Sequence, residues 1–198
     1  DLPVTGARAV AERMADIAAG WDALSRQALS LPVPAWAERR LRRLRGMAEN
    51  GGWVGPLARA AGREVDARAE EPGVYPVVAW EVARAPEGRG MFRRMLALKG
   101  EEIRSSLRVS RCVLEDLPEG PLLVRRGRGG RGEGFGRCEG PEGEVCCHLA
   151  LERGQVSYLA LSLPHEVNLS AARVLEGCWL DEADILRALW EAPAEGNA

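Results

Sequence analysis

Apolar residues return at steps of three and four along the first thirty positions, at Val10, Met14, Ile17, Trp21, Leu24 and Ala28. That spacing draws one stripe on a helix. Thr5 can cap it, and Leu31-Pro32-Val33-Pro34 stops it after about Leu29. A second helix, from about Ala35 to Ala48, turns Trp36, Leu41, Leu44 and Met47 inward. Asn50-Gly51-Gly52 breaks the chain, and Pro56 suits the first turn of a short helix through Ala61, closed by Gly62. Residues 64–76 read as irregular connection. Arg89-Gly90 leads into the longest helix, to about Leu117, on which Phe92, Leu96, Ile103, Leu107 and Leu114 share a face. Pro118-Glu119-Gly120-Pro121 ends it.

The period then shortens. Leu122-Leu123-Val124 precedes the glycine- and arginine-rich run Gly127–Gly134, expected as a mobile loop. Glu144–Leu151 and Gln155–Leu163 flank Glu152-Arg153-Gly154, a β-hairpin signal in which glycine can take a positive φ. Asn168 or Ser170 can cap a helical segment through Gly177, and Asp181 starts another to about Trp190. No internal repeat is present. The expected class is α+β: mainly a helical bundle, with a small antiparallel β-hairpin or three-stranded sheet near the C-terminus. A single domain over 1–198 is expected, helical over 1–121, loop and hairpin over 122–165, with terminal helices over 166–198.

At 198 residues and 46% hydrophobic content, the chain is long enough to bury a substantial core. No run approaches the roughly 18 apolar residues needed to cross a bilayer, and the opening lacks the signature of a signal peptide, so no transmembrane segment is expected. The 27 Lys+Arg against 29 Asp+Glu leave no cationic surplus for a general nucleic-acid binder. Cys112, Cys138, Cys146, Cys147 and Cys178 are odd in number and form no C-x-x-C, which suggests neither a disulfide framework nor a zinc site. A reducing, cytoplasmic setting is expected. A start at Asp1 rather than Met is compatible with a piece of something longer.

Several patterns carry two readings. Arg39, Arg40, Arg42, Arg43 and Arg45 make a docking patch for an acidic partner or lipid headgroups, or merely a solvated helix face. Gly127-Arg128-Gly129-Gly130-Arg131-Gly132 spells G-x-G-x-x-G, but a dinucleotide site needs a helix to open there, and more loop and a strand follow. His148 follows Cys146-Cys147; in a strand it shares a side with Cys146 and opposes Cys147. Burial is the expected fate of the cysteines. His165, beside Pro164, is a turn residue.

Four segments, in order, resemble a known family. These are Trp53-Val54-Gly55-Pro56-Leu57-Ala58-Arg59-Ala60-Ala61-Gly62 with Asp66 and Arg68; Glu102-Ile103-Arg104-Ser105-Ser106-Leu107 running on to Leu117-Pro118-Glu119-Gly120-Pro121; Gly134-Phe135-Gly136-Arg137-Cys138-Glu139-Gly140-Pro141-Glu142-Gly143-Glu144-Val145; and Asn168-Leu169-Ser170 with Val174-Leu175-Glu176-Gly177. Together they resemble the C-terminal part of the large subunit that complex I, the NADH-quinone oxidoreductase, uses at its quinone site and that the group 4 membrane-bound nickel-iron hydrogenases share. The resemblance implies a component of a membrane-associated electron-transfer complex that works with NAD and quinone, placed peripherally on the inner face of the membrane. An iron-sulfur subunit is the implied partner, with a missing N-terminal domain of the same subunit.

The chain departs from that pattern. The position where the family's second metal-binding cysteine pair should follow the last helix reads Glu191-Ala192-Pro193-Ala194-Glu195-Gly196, so no nickel-iron site or cofactor is expected in this chain, and quinone belongs to the full complex. Glu142 replaces the family's cavity arginine, which inverts the charge there. Asp66, Arg68, Arg137 and Glu139 match the family and are expected to form buried or partly buried polar links that hold the turn against the bundle. The implied role is scaffold or quinone-cavity wall, not catalytic in isolation. The alternative is a metal-free regulatory or assembly module that kept the fold.

Overall fold

In a computed structural model of the chain, residues 4–70, 73, 75, 78, 80–88, 90–116 and 130–184 are described. The order is α1 (Val4–Ser30), α2 (Ala35–Leu41), α3 (Arg43–Gly51), α4 (Gly55–Ala61), α5 (Ala67–Glu70), α6 (Met91–Glu115), β1 (Gly132–Gly140), β2 (Gly143–Glu152), β3 (Gln155–Ser162), α7 (Pro164–Val167) and a 3₁₀ helix over Leu169–Leu175. The fold is α+β, with one antiparallel sheet in the order β1-β2-β3.

The core lies between α2, α3, α4, the first half of α6 and the 3₁₀ helix. Trp53, Leu41, Leu44, Met91, Leu98 and Val174 are its largest fully buried side chains. Each contributes roughly 1.5–3 kcal/mol by leaving water, against about 0–1 for a surface ion pair, so packing rather than surface charge fixes where these helices sit.

Both long helices bury a face beside the one their large residues suggest. On α1, Val10, Ile17 and Leu24 stay 39%, 58% and 56% exposed. The half-buried face runs through Ala11, Met14, Ala18, Trp21 and Ala28, with Ser25 buried on it. Small residues let α1 lie close to α6, where Gly100 leaves room for the Trp21 indole: a methyl group there would sit 3.4 Å from its Nε1. On α6 the buried residues are Met91, Arg94, Met95, Leu98, Gly100 and Ser105, while Phe92, Leu96, Ile103, Leu107 and Leu114 are half-buried flankers.

Other local expectations are corrected. α1 already includes Val4 and Thr5, so the helix does not begin at Thr5. The second helix is two, because at Arg42 the bonding shortens to Arg45 N–H on Arg42 C=O. Residues 64–76 contain the turn of α5. Within Gly127–Gly134, positions 132–134 are paired strand, their backbone matched to Leu149–Leu151; positions 127–129 lie outside the described residues, as do the terminators at 117–121 and the tail from 185 onward. Of the helix expected from Asp181, positions 180–184 are helical. The β2–β3 turn has positive φ at both Arg153 and Gly154, 52° and 76°, the two-residue geometry that matches strand twist. No cysteine among the described residues is fully buried, and Cys138 is exposed.

Two contacts fasten the sheet and the chain after it to the bundle. Gly55 (φ +69) and Gly143 (φ +135) meet backbone to backbone: a Cβ on Gly55 would stand 2.3 Å from Glu142 O, and one on Gly143 would stand 3.0 Å from Gly55 Cα. Asn168 stands at the N-cap position of the 3₁₀ helix, but its side chain makes no capping bond there; its Oδ1 accepts from Val54 N–H at 3.0 Å and its Nδ2 donates to Val54 C=O at 3.2 Å. Beside it, Trp53 Nε1 donates to Ser170 Oγ at 2.7 Å.

Gly62 also has a positive φ, but a Cβ there would meet nothing. Gly62→Ala therefore carries only the conformational cost of roughly 1–2 kcal/mol, whereas Gly55→Ala adds an overpacking cost of about 1–3 kcal/mol. Urea denaturation of both variants should rank Gly55→Ala clearly lower; equal losses would mean the two backbones do not touch.

Candidate functional site

Helix α4 reads Gly-Pro-Leu-Ala-Arg-Ala-Ala, and all seven residues are buried. Small side chains let it pass between α6 and the sheet, and its one charged residue, Arg59, has nowhere to reach water. A buried guanidinium needs carboxylates. Arg59 Nη1 donates to Asp66 Oδ2 at 2.9 Å, to Glu139 Oε1 at 3.0 Å and to Val65 C=O at 3.0 Å; Nη2 donates to Glu102 Oε1 at 2.5 Å. Arg68 grips the same acids from outside, with Nε on Asp66 Oδ1 at 2.9 Å, and Nη2 on Asp66 Oδ2 at 2.7 Å and Glu102 Oε2 at 3.0 Å. Its guanidinium lies 4.6 Å from the centre of the Trp80 ring. Glu139 Oε2 accepts the Ala67 N–H at 3.1 Å.

Two cations thus face three carboxylates drawn from α6, β1 and the start of α5. Burial pushes Glu139 above the ordinary carboxylate range; the N–H of Ala67 and the Arg59 guanidinium oppose this, and the neighbouring Asp66 charge adds to it. For Arg68, burial pulls downward, but hydrogen bonds to Asp66 and Glu102 outweigh it and hold the guanidinium firmly charged. Such a cluster adds little net stability compared with apolar packing, yet removing one member strands the rest.

Asp66, Arg68 and Glu139, picked out by family match, meet in this network. Arg137 stands beside it: its Nη2 donates to Glu70 Oε2 at 2.7 Å and its Nε lies 2.9 Å from Glu144 Oε1, joining the sheet to α5. Glu142 lies apart, on the β1–β2 turn, 3.4 Å from Lys99 Nζ, the chain's one lysine. The negative charge at that turn therefore has a local counter-charge. Arg59 and Glu102 were not singled out by sequence reasoning, although both lie in the matching segments; a single charge in an otherwise small, apolar helix was the signal for the first.

Under the turn is a cleft of about 460 Å³ lined by Leu57, Glu142, Val145, His165, Asn168 and Leu169, among others. Cys146 and His148 share a sheet face, but Cys146 Sγ donates to Glu144 Oε1 at 3.1 Å. That bond, with burial, pushes the thiol upward, away from a nucleophilic thiolate. His148 instead pairs with Glu133 at 2.6 Å. Among the described residues no three His, Cys, Asp or Glu side chains stand together as a metal site.

The whole architecture has a solved counterpart. A chain of the membrane-bound sulfane sulfur reductase, an archaeal respiratory membrane complex, superimposes over 96% of this chain and 54% of its own length, with a TM-score of 0.69 and 20% identity, which fixes the fold. At the level of sequence, residues 44–130 match the family model of the respiratory-chain NADH dehydrogenase 49 kDa subunit. An NADH-quinone oxidoreductase subunit of Dehalococcoides mccartyi is 30% identical over 140 residues, covering 68% of this chain and 38% of that protein. The membrane-bound hydrogenase subunit alpha of Pyrococcus furiosus is 32% identical over 119 residues, covering 52% of this chain and 28% of that protein. The chain belongs to this family of oxidoreductase large subunits, and it spans less than two-fifths of the length of these two relatives.

Replacing Arg59 with Met should cost about 3–5 kcal/mol, because it leaves buried carboxylates uncompensated; a loss under 1 kcal/mol in urea denaturation would show the network to be peripheral. A second expectation concerns pH. The folded chain holds the Glu139 proton more tightly than the unfolded chain does. The stability this confers is complete below the ordinary value of 4.5 and is lost as pH rises through the raised folded value. Wild type should therefore lose stability relative to Glu139→Gln across that window, and a pH-independent difference would exclude Glu139 as the titrating group.

Proposed function

We propose that this chain serves as a large-subunit scaffold in a membrane-associated electron-transfer complex, docking an iron-sulfur subunit and supplying one wall of a cavity that accepts a quinone-type ring. The observation that carries this is the Gly55–Gly143 contact, which holds the Glu142 turn rigidly over the cleft lined by Leu57, Val145 and Leu169. A fixed polar turn above an apolar slot suits a flat ring with carbonyl oxygens. Glu142 accepts rather than donates, so the donors to such a ring would be Asn168, His165 or Lys99, the last freed from Glu142.

Docking is supported by the sheet. The register places Cys147, Leu149, Leu159 and Leu161 on one face, opposite Gly134 and Gly136, which offer no side chains to cover it. Leu159 and Leu161 remain 55% and 53% exposed, and a contiguous apolar strip on a small sheet calls for a partner. No helix among the described residues is long and apolar enough to cross a membrane, so membrane association would come through partner subunits. The carboxylate at Glu142 favours a second reading, a regulatory or assembly module, in which the cleft binds no quinone.

Leu161→Glu should abolish co-purification with the iron-sulfur subunit while leaving the thermal midpoint unchanged, since the side chain already faces solvent. A short-chain ubiquinone analogue should shift the methyl resonances of Leu57 and Val145. Failure of the first result overturns the scaffold role; failure of the second alone leaves the assembly module.

A further inference from the structure

The buried network leaves a second cluster of arginines unaccounted for. A separate cleft of about 520 Å³ opens on the other side of α4, and Arg45, Arg63, Arg84 and Arg94 line it together with Glu64 and Glu87. Arg84 is occupied by Glu64 at 3.1 Å. Arg45, Arg63 and Arg94 have no carboxylate within ion-pair distance among the described residues, which leaves three cations against Glu87.

Arg94 is the informative member. It is only 7% exposed, yet its described hydrogen bonds go to backbone carbonyls alone: Nε to Ala60 at 2.8 Å and Nη1 to Pro86 at 3.1 Å. These bonds hold the guanidinium plane still and leave Nη2 without a described partner. Arg63 likewise reaches only carbonyls, of Ala48 and Trp53, at 3.5 and 3.3 Å. A buried cation lacking its counter-charge is costly unless an anion completes it.

We propose that this cleft binds a phosphate group, carried by a small molecule or a lipid headgroup, with Arg94 as its recessed anchor and Arg45 and Arg63 as flanking donors. A fixed fork of N–H groups matches the oxygens of a tetrahedral oxyanion. Because Arg94 sits at the bottom of a recess, a compact ligand reaches it and the flat face of an acidic protein does not. The local field agrees: burial and the nearby charge of Arg45 push Arg94 downward, with Glu87 opposing, and a bound anion would offset the repulsion. The site also sorts the arginine run of the second helical segment. Arg40 is committed to the carbonyls of Glu176 and Gly177 at 2.9 and 2.8 Å, whereas Arg45 faces the cleft.

The test uses the full chain. Calorimetric titration with glycerol phosphate and sedimentation with phosphatidylcholine vesicles, with and without phosphatidic acid, should detect binding through at least one source. Arg45→Glu changes an exposed residue and should weaken that binding about tenfold or more with no change in thermal midpoint; Arg63→Gln should weaken it less. Arg94→Lys retains the charge and removes the fork, and should also weaken it. Glycerol phosphate binding without vesicle binding assigns a soluble ligand, and vesicle binding abolished by Arg45→Glu assigns a headgroup. No binding of either probe at millimolar concentration, or binding indifferent to Arg45→Glu, overturns the proposal.

Discussion

A guanidinium placed in the middle of a protein dictates what must surround it, and Arg59 is that constraint here. Its hydrogen bonds require Asp66, Glu102 and Glu139 to converge, and those residues come from three separate stretches of chain. The long helix α6, the strand β1 and the segment entering α5 therefore meet around one side chain on α4. Apolar packing runs up to the same helix, through Ala58, Ala60 and Ala61 on either side of Arg59. Charge then fixes what packing alone leaves open.

The arrangement works only because α4 is thin. Alanines at 58, 60 and 61 and glycine at 55 bring neighbouring backbone within reach, so short acidic side chains can touch Arg59 and the Glu142 turn can rest on the helix start. The same thinness places a cleft on either side of one short helix. One cleft is largely apolar and sits under the turn; the other is cationic and holds Arg94 at its floor. Arg59 also lines the second, so it separates the buried acids from the cationic recess.

Much of this was legible in the sequence. Prolines and glycines through Gly62 punctuate the helices as expected, and the ordered segments from Trp53 to Gly177 led to the family. What periodicity misplaced was the direction of burial. On α1 the eye follows large residues, Val10, Ile17 and Leu24, yet close helix approach selects small ones, Ala11, Ala18 and Ser25. The start of β1 was misread for a related reason: Gly132 and Gly134 fell in the run read as loop, but pairing with β2 supplies the backbone partners that their missing side chains could not advertise. Arg59 and Glu102 escaped notice because helical spacing cannot say which charge will be met by another 43 residues away.

Asn168 shows a different economy of specification. By offering one acceptor and one donor to the amide and carbonyl of Val54, it imitates the edge of a neighbouring strand with a single side chain. The attachment therefore reads main chain, not residue identity, at position 54. Drift at that valine should be forgiven, whereas the asparagine has no substitute of equal length: aspartate lacks the donor, leucine lacks both groups, and glutamine carries them one carbon too far.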